Sequence, residues 1–105
     1  MAKADTTPRE TVPELTGFQR DLLYTIADAA PAKGTKIKAA LEDYYGEEIN
    51  HGRLYPNLDE LVDSGLVWKG ERDKRTNEYG LTGAGEALLA QRCEWQAGKL
   101  EGVSA

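Results

Sequence analysis

The sequence predicts a mainly α chain with one small β-hairpin, in the order helix, helix, helix, hairpin, helix. Three observations carry that reading. Apolar residues recur at helical spacing in four stretches, each bounded by a capping or breaking residue. The period shortens to that of a strand between Leu66 and Leu81. The chain has 105 residues, 40% hydrophobic and 30% charged, which suits one small globular domain better than a disordered tail.

Residues 1–15 carry Thr6, Thr7, Pro8 and Pro13 among mixed charges and read as a flexible N-terminal arm. Thr16 followed by Gln19 has the form of a capping box, with Phe18, Leu22, Leu23 and Ile26 at helical spacing behind it. This first helix spans about 17–29 and is stopped by Pro31. Ile37, Ala40, Leu41, Tyr44 and Tyr45 give the second helix, closed by Gly46. Asn50 suits the cap of a third, in which Leu54, Leu58, Leu61 and Val62 line one face and Ser64-Gly65 ends the run. Pro56 leaves two readings open. Either the first turn tolerates it because Gly52, whose carbonyl it crowds, has no side chain, or residues 51–55 form a turn and the helix starts at Pro56.

Leu66 to Glu71 and Asn77 to Leu81 then read as two strands around the polar turn Arg72-Asp73-Lys74-Arg75-Thr76. Thr82 is placed to cap a last helix reaching about Lys99, with Leu88, Leu89, Cys93 and Trp95 along it. Once Leu88 or Leu89 has packed on the domain, nothing is left to cover Trp95. A second copy of the chain is expected to do so, with Leu88, Leu89 and Trp95 as the dimer interface; the alternative is that Trp95 folds back onto its own chain.

Several functions are excluded. No apolar run approaches the roughly 20 residues of a membrane span, and no secretory signal follows Met1. A single cysteine fits a reducing, cytoplasmic setting. With one histidine, no phosphate-cradling glycine loop and no nucleophile elbow, the chain is not expected to be an enzyme or to need a cofactor. His51 has no partner at ligand spacing, which argues against a metal site. Cys93 has only Arg92 beside it as a positive charge, so packing in mid-helix or at an interface is expected of it rather than redox sensing.

The charge distribution is more informative than the total. Thirteen basic against 18 acidic residues give a net charge of −5, which disfavours a surface attractive to nucleic acid everywhere but allows a local basic patch. In the third helix the acids Asp59, Glu60 and Asp63 fall in the C-terminal half. The N-terminal half offers Asn50, His51, Arg53, Tyr55 and Asn57 with no carboxylate among them. A recognition helix presents its N-terminal residues to the major groove, where its dipole also favours phosphate. Arg53 suits a guanine edge, and Asn57 or Asn50 an adenine edge. Lys33, Lys36 and Lys38 flank the start of the second helix, and Arg72, Lys74 and Arg75 stand on the hairpin tip, where backbone or minor-groove contact is expected. A merely solvated turn or helix face accounts for these cations too.

Gly52-Arg-Leu-Tyr-Pro-Asn-Leu-Asp-Glu-Leu-Val-Asp-Ser-Gly-Leu-Val67 resembles the G-x-L-Y-P-x-L-x-x-L-x-x-x-G-L-V signature of PadR-like winged-helix regulators. Tyr79-Gly-Leu-Thr-Gly-Ala-Gly85 is similar to the family's Y-x-L-T-x-x-G. The likeness covers about residues 17–90. It implies a winged helix-turn-helix DNA-binding domain over 16–81 and a C-terminal dimerisation helix and tail over 82–105. It also implies a homodimeric transcription factor, usually a repressor, on a pseudo-palindromic operator. The third helix would enter the major groove of double-stranded DNA, and the wing would reach the backbone or minor groove.

Two departures matter. Gly34-Thr35-Lys36 stands where many members have Gly-Tyr-Glu, and only a short segment follows Leu81, so the dimer is expected to be built from the last helix together with the first. The acidic, compact form is similar to haloarchaeal members, among them oxidative-stress regulators, which implies a halophilic stress-response role. In molar salt, cations between carboxylates and phosphates would replace some lysines at the DNA interface. The alternative reading is a winged-helix module that binds another protein instead of DNA, since one fold serves both purposes.

Overall fold

The computed structural model describes residues 15–103. The expected N-terminal arm therefore lies, apart from Leu15, outside the described residues. The chain forms four helices, α1 (Gly17–Ala29), α2 (Gly34–Tyr45), α3 (His51–Asp63) and α4 (Gly83–Leu100), and three strands, β1 (Ala32–Lys33), β2 (Val67–Asp73) and β3 (Thr76–Leu81), among the described residues.

Local chemistry sets the helix ends. Thr16 and Gln19 close a reciprocal capping box on α1, each side chain accepting from the other's backbone N–H. Gly46 ends α2 in the left-handed conformation at φ 74°, a position glycine occupies without Cβ strain. Asn50 caps α3, its Oδ1 accepting from the Arg53 N–H at 2.9 Å. The helix starts at His51 and runs through Pro56, so the alternative start at Pro56 is set aside. At the other end the Leu66 N–H donates to the Leu61 carbonyl and the Gly65 N–H to that of Val62, with Gly65 at φ 82°, a paired Schellman closure. Thr82 caps α4 by accepting from the Gly85 N–H at 3.1 Å, and its hydroxyl donates to the Gly65 carbonyl at 2.6 Å. The end of α3 and the start of α4 are thereby joined through one side chain.

The sheet differs from the expected hairpin in two ways. It has three antiparallel strands in the order β1-β3-β2, with Ala32 opposite Tyr79 and Lys33 opposite Glu78. A two-residue strand between Pro31 and Gly34 has no periodicity of its own, and it exists because β3 supplies a partner edge. The hairpin also extends farther than its composition indicates. Asp73 pairs with Thr76 across a two-residue turn at Lys74-Arg75, with an irregularity between Glu71 and Asp73, so the polar residues 72 and 73 lie within β2.

The core gathers one face of every helix. Leu22, Leu23, Ile26, Ile37, Leu41, Leu54, Leu58 and Leu88 are wholly shielded from solvent. Each contributes about 1.5–3 kcal/mol relative to exposure. Leu89 is buried as well, so α4 has used its apolar residues inside the monomer by that point. Beyond it Trp95, Leu100 and Val103 are exposed. Of the three side chains expected at a dimer interface, Leu88 and Leu89 belong to the monomer core and Trp95 alone is available on the surface. Cys93 is exposed too, which excludes burial within the monomer as its role. No helix among the described residues is long and apolar enough to cross a membrane.

Candidate nucleic-acid interface

Three elements meet on one face: the start of α2, the entrance of α3 and the wing formed by β2 and β3. A cleft of about 320 Å³ runs between them, lined by Lys33, Gly34 and Thr35 from the first, Tyr55 from the second, and Arg75 and Asn77 from the third. Tyr55 is half-buried there. A Cβ on Gly34 would come within 2.6 Å of the Tyr55 hydroxyl oxygen and 2.7 Å of its ring, so the glycine allows the tyrosine to lie against α2. His51 stacks on Tyr55 with ring centroids 5.5 Å apart and planes 20° from parallel. Lys36 is exposed in the first turn of α2.

Arg53 is exposed, and its guanidinium carbon sits 4.0 Å from the centroid of the Phe18 ring on α1. The contact holds a cation in place while its N–H groups keep their donor capacity. The asparagines are placed otherwise. Asn50 is engaged as the helix cap. Asn57 donates through Nδ2 to the Arg53 carbonyl at 2.7 Å and accepts at Oδ1 from Gln19 Nε2 at 3.0 Å. Neither offers the free amide that the bidentate reading of adenine calls for.

Electrostatics stabilise the two loops that frame this face. Glu42 accepts from the Ile49 backbone N–H at 2.9 Å and from Lys38 Nζ at 2.7 Å, and these bonds hold its carboxyl below its ordinary range. Lys38 is thus drawn into a bridge with Glu42, whereas Lys33 borders the cleft. At the wing tip Asp73 accepts from the Arg75 backbone N–H at 3.0 Å, and its carboxyl is likewise lowered, chiefly by that bond. Arg72, Lys74 and Arg75 are exposed around it. No group of acidic, histidine or cysteine side chains suited to a metal ion occurs among the described residues.

Two residues that shape the face escape notice in the sequence. Phe18 reads as core and Gln19 as a cap, yet both contact the entrance of α3. Gln19 carries a usable signal, because it shares the helical spacing of Leu22, Leu23 and Ile26 and so lies on the buried side of α1.

The model of the transcriptional regulator PadR-like family matches residues 22–91. No curated protein matches the sequence. A RosR structure described as the hsRosR-S1 complex is 52% identical, with a TM-score of 0.81 over 85% of this chain and 79% of that one. RosR of H. salinarum grown from NaBr is 53% identical, with a TM-score of 0.79 over 83% and 78% of the two chains. A mutant of MarR from E. coli, complexed with operator DNA, is 29% identical with a TM-score of 0.66 over 77% of this chain and 55% of that one.

Proposed function

The chain belongs to the PadR-like family of transcriptional regulators, and from that premise we propose that it is a cytoplasmic repressor binding a pseudo-palindromic operator as a homodimer. The α3 entrance enters the major groove, Arg53 is its main reader of base edges, and His51 and Tyr55 contact the backbone beside it. Lys36 and the wing residues Arg72, Lys74 and Arg75 hold phosphates on either side. Asn50 and Asn57 keep the entrance in shape.

The observation that carries this reading is the convergence of basic and neutral donors from α2, α3 and the wing on one cleft of an acidic protein. Asp59, Glu60 and Asp63 lie at the other end of α3, where they would point away from DNA. The likeness to a MarR protein complexed with operator DNA supports it. The exposed Trp95, Leu100 and Val103 support a dimer built through the second half of α4, so that 16–81 reads DNA and 82–105 pairs the copies. The net charge of −5 and the likeness to RosR of H. salinarum support a halophilic stress-response regulator, with salt cations bridging carboxylates and phosphates.

Selection of bound duplexes from a random pool, at about 0.1 M and at molar potassium salt, tests the reading. A two-fold symmetric motif with half-sites about one helical turn apart is expected at both. Absence of enrichment at either salt would sink direct operator recognition and bring forward a protein partner for the wing face.

A further inference from the structure

We propose that Gln19 is a positioning residue for DNA reading, setting which atoms of the α3 entrance face the groove; this rests on the reading of α3 as the recognition helix. Gln19 is the buried polar side chain of the described core, at 6% exposure. Its Oε1 accepts from the Thr16 backbone N–H at 3.2 Å. Its Nε2 donates to Asn57 Oδ1 at 3.0 Å and to Glu60 Oε1 at 2.8 Å. A primary amide has two N–H hydrogens, and here both have acceptors. Turning the amide over would set its oxygen against two other oxygens and its nitrogen against the Thr16 N–H. One orientation is therefore enforced.

That polarity is passed on. Because Gln19 offers only hydrogens, Asn57 must present Oδ1 to α1, which turns Nδ2 toward the Arg53 carbonyl at 2.7 Å. One Nδ2 hydrogen remains, so Asn57 faces its surroundings as a donor. Phe18, the neighbour of Gln19, meanwhile holds the Arg53 guanidinium. Two adjacent residues of α1 thus set both polar groups of the α3 entrance. Both look outward as donors, a match for phosphate oxygens and for the guanine O6 and N7 edge.

The substitution Gln19→Glu separates this role from the cap. Glutamate still accepts from the Thr16 N–H, as in a standard capping box, but has nothing to donate to Asn57 and sets a second carboxylate against Glu60. Q19E/E60Q relieves the carboxylate pair but still leaves Asn57 without its donor, and Q19M removes the donors without adding charge. The full chain would be titrated by fluorescence anisotropy with the operator motif from the random-pool selection and with an unrelated duplex, folding being followed by circular dichroism. We expect Q19E and Q19M to lower the operator-to-unrelated affinity ratio about tenfold. Binding to the unrelated duplex should stay within about twofold, because phosphate contacts set it. Q19E/E60Q should stay as low as Q19E, because residue 19 still has no hydrogen for Asn57; recovery of the ratio would overturn the positioning role. An unchanged ratio in folded Q19E and Q19M, with R53A losing it, would overturn the positioning role and leave the function standing. An equal loss on both duplexes, or unfolding of both single variants, would overturn it too by making Gln19 a structural residue only. If R53A also left the ratio unchanged, α3 would not be the reader and the functional reading itself would fall.

Discussion

Arg53 rests over Phe18, with the guanidinium carbon 4.0 Å from the ring centroid. The pair spans α3 and α1, so the cation proposed to read bases is held by a residue whose ring is otherwise part of the core. Such a contact restricts a long side chain before DNA arrives and lowers the ordering cost of binding.

Replacing Arg53 with alanine should weaken operator binding by about 1–3 kcal/mol and relax specificity at one position of the half-site. Lysine should not restore it, because an ammonium has neither the planar stacking face nor the paired donors of arginine. Anisotropy titrations of both variants on operator duplexes varied at each base pair would check this.

Neutralising the wing as R72Q/K74Q/R75Q should act differently. The slope of log affinity against log salt should become shallower by about one for each phosphate that the wing ceases to neutralise, with the preferred sequence unchanged. A full slope in the triple variant would remove the wing from the interface.

Gly85→Ala should be among the most damaging small substitutions. A Cβ there would collide with the Leu66 backbone carbonyl oxygen, which also accepts from the Thr82 N–H at the start of α4. Backbone on both sides leaves little room to yield, and a loss of about 1–3 kcal/mol or more is expected. Urea denaturation with the wild type alongside would measure it.

Tyr45 donates to Asp21 Oδ2 at 2.6 Å, and burial together with this bond pushes its hydroxyl from 10.0 up to about 12. The folded state therefore keeps a proton that the unfolded chain gives up. The stabilisation is complete below pH 10 and lost as pH rises toward 12. Thermal melts across that window should show a falling transition temperature that Y45F flattens, with a late-titrating tyrosine in the ultraviolet difference spectrum.

Trp95 is 54% exposed, with Arg92 and Lys99 4.6 and 5.4 Å from its ring. W95A combined with L100A should shift sedimentation of the chain from dimer toward monomer without loss of helix signal. A wild type that sediments as a monomer at all concentrations would remove α4 as the dimerisation element.

Much of this architecture was legible residue by residue. Thr16 with Gln19, Asn50, Gly46 and Thr82 mark helix ends because capping is settled within one turn of chain. The donor-rich entrance of α3 and its acidic far end were legible as well, since composition along a single helix needs no tertiary information. The strand Ala32–Lys33 was not, because its only cause is the distant edge at Tyr79 and Glu78. The role of Asn57 was not legible either. A free asparagine and one bound from both sides look identical in sequence.

The sequence alone therefore determined the four helices and the hairpin in order, the helix ends, the buried helix faces and the uneven charge along α3, all properties of local periodicity and capping. Tertiary structure decided which of those side chains are free. It set Gln19 against Asn57, Phe18 under Arg53 and Leu88 and Leu89 inside the monomer, because hydrogen-bond satisfaction and close packing are resolved only between segments far apart in the chain.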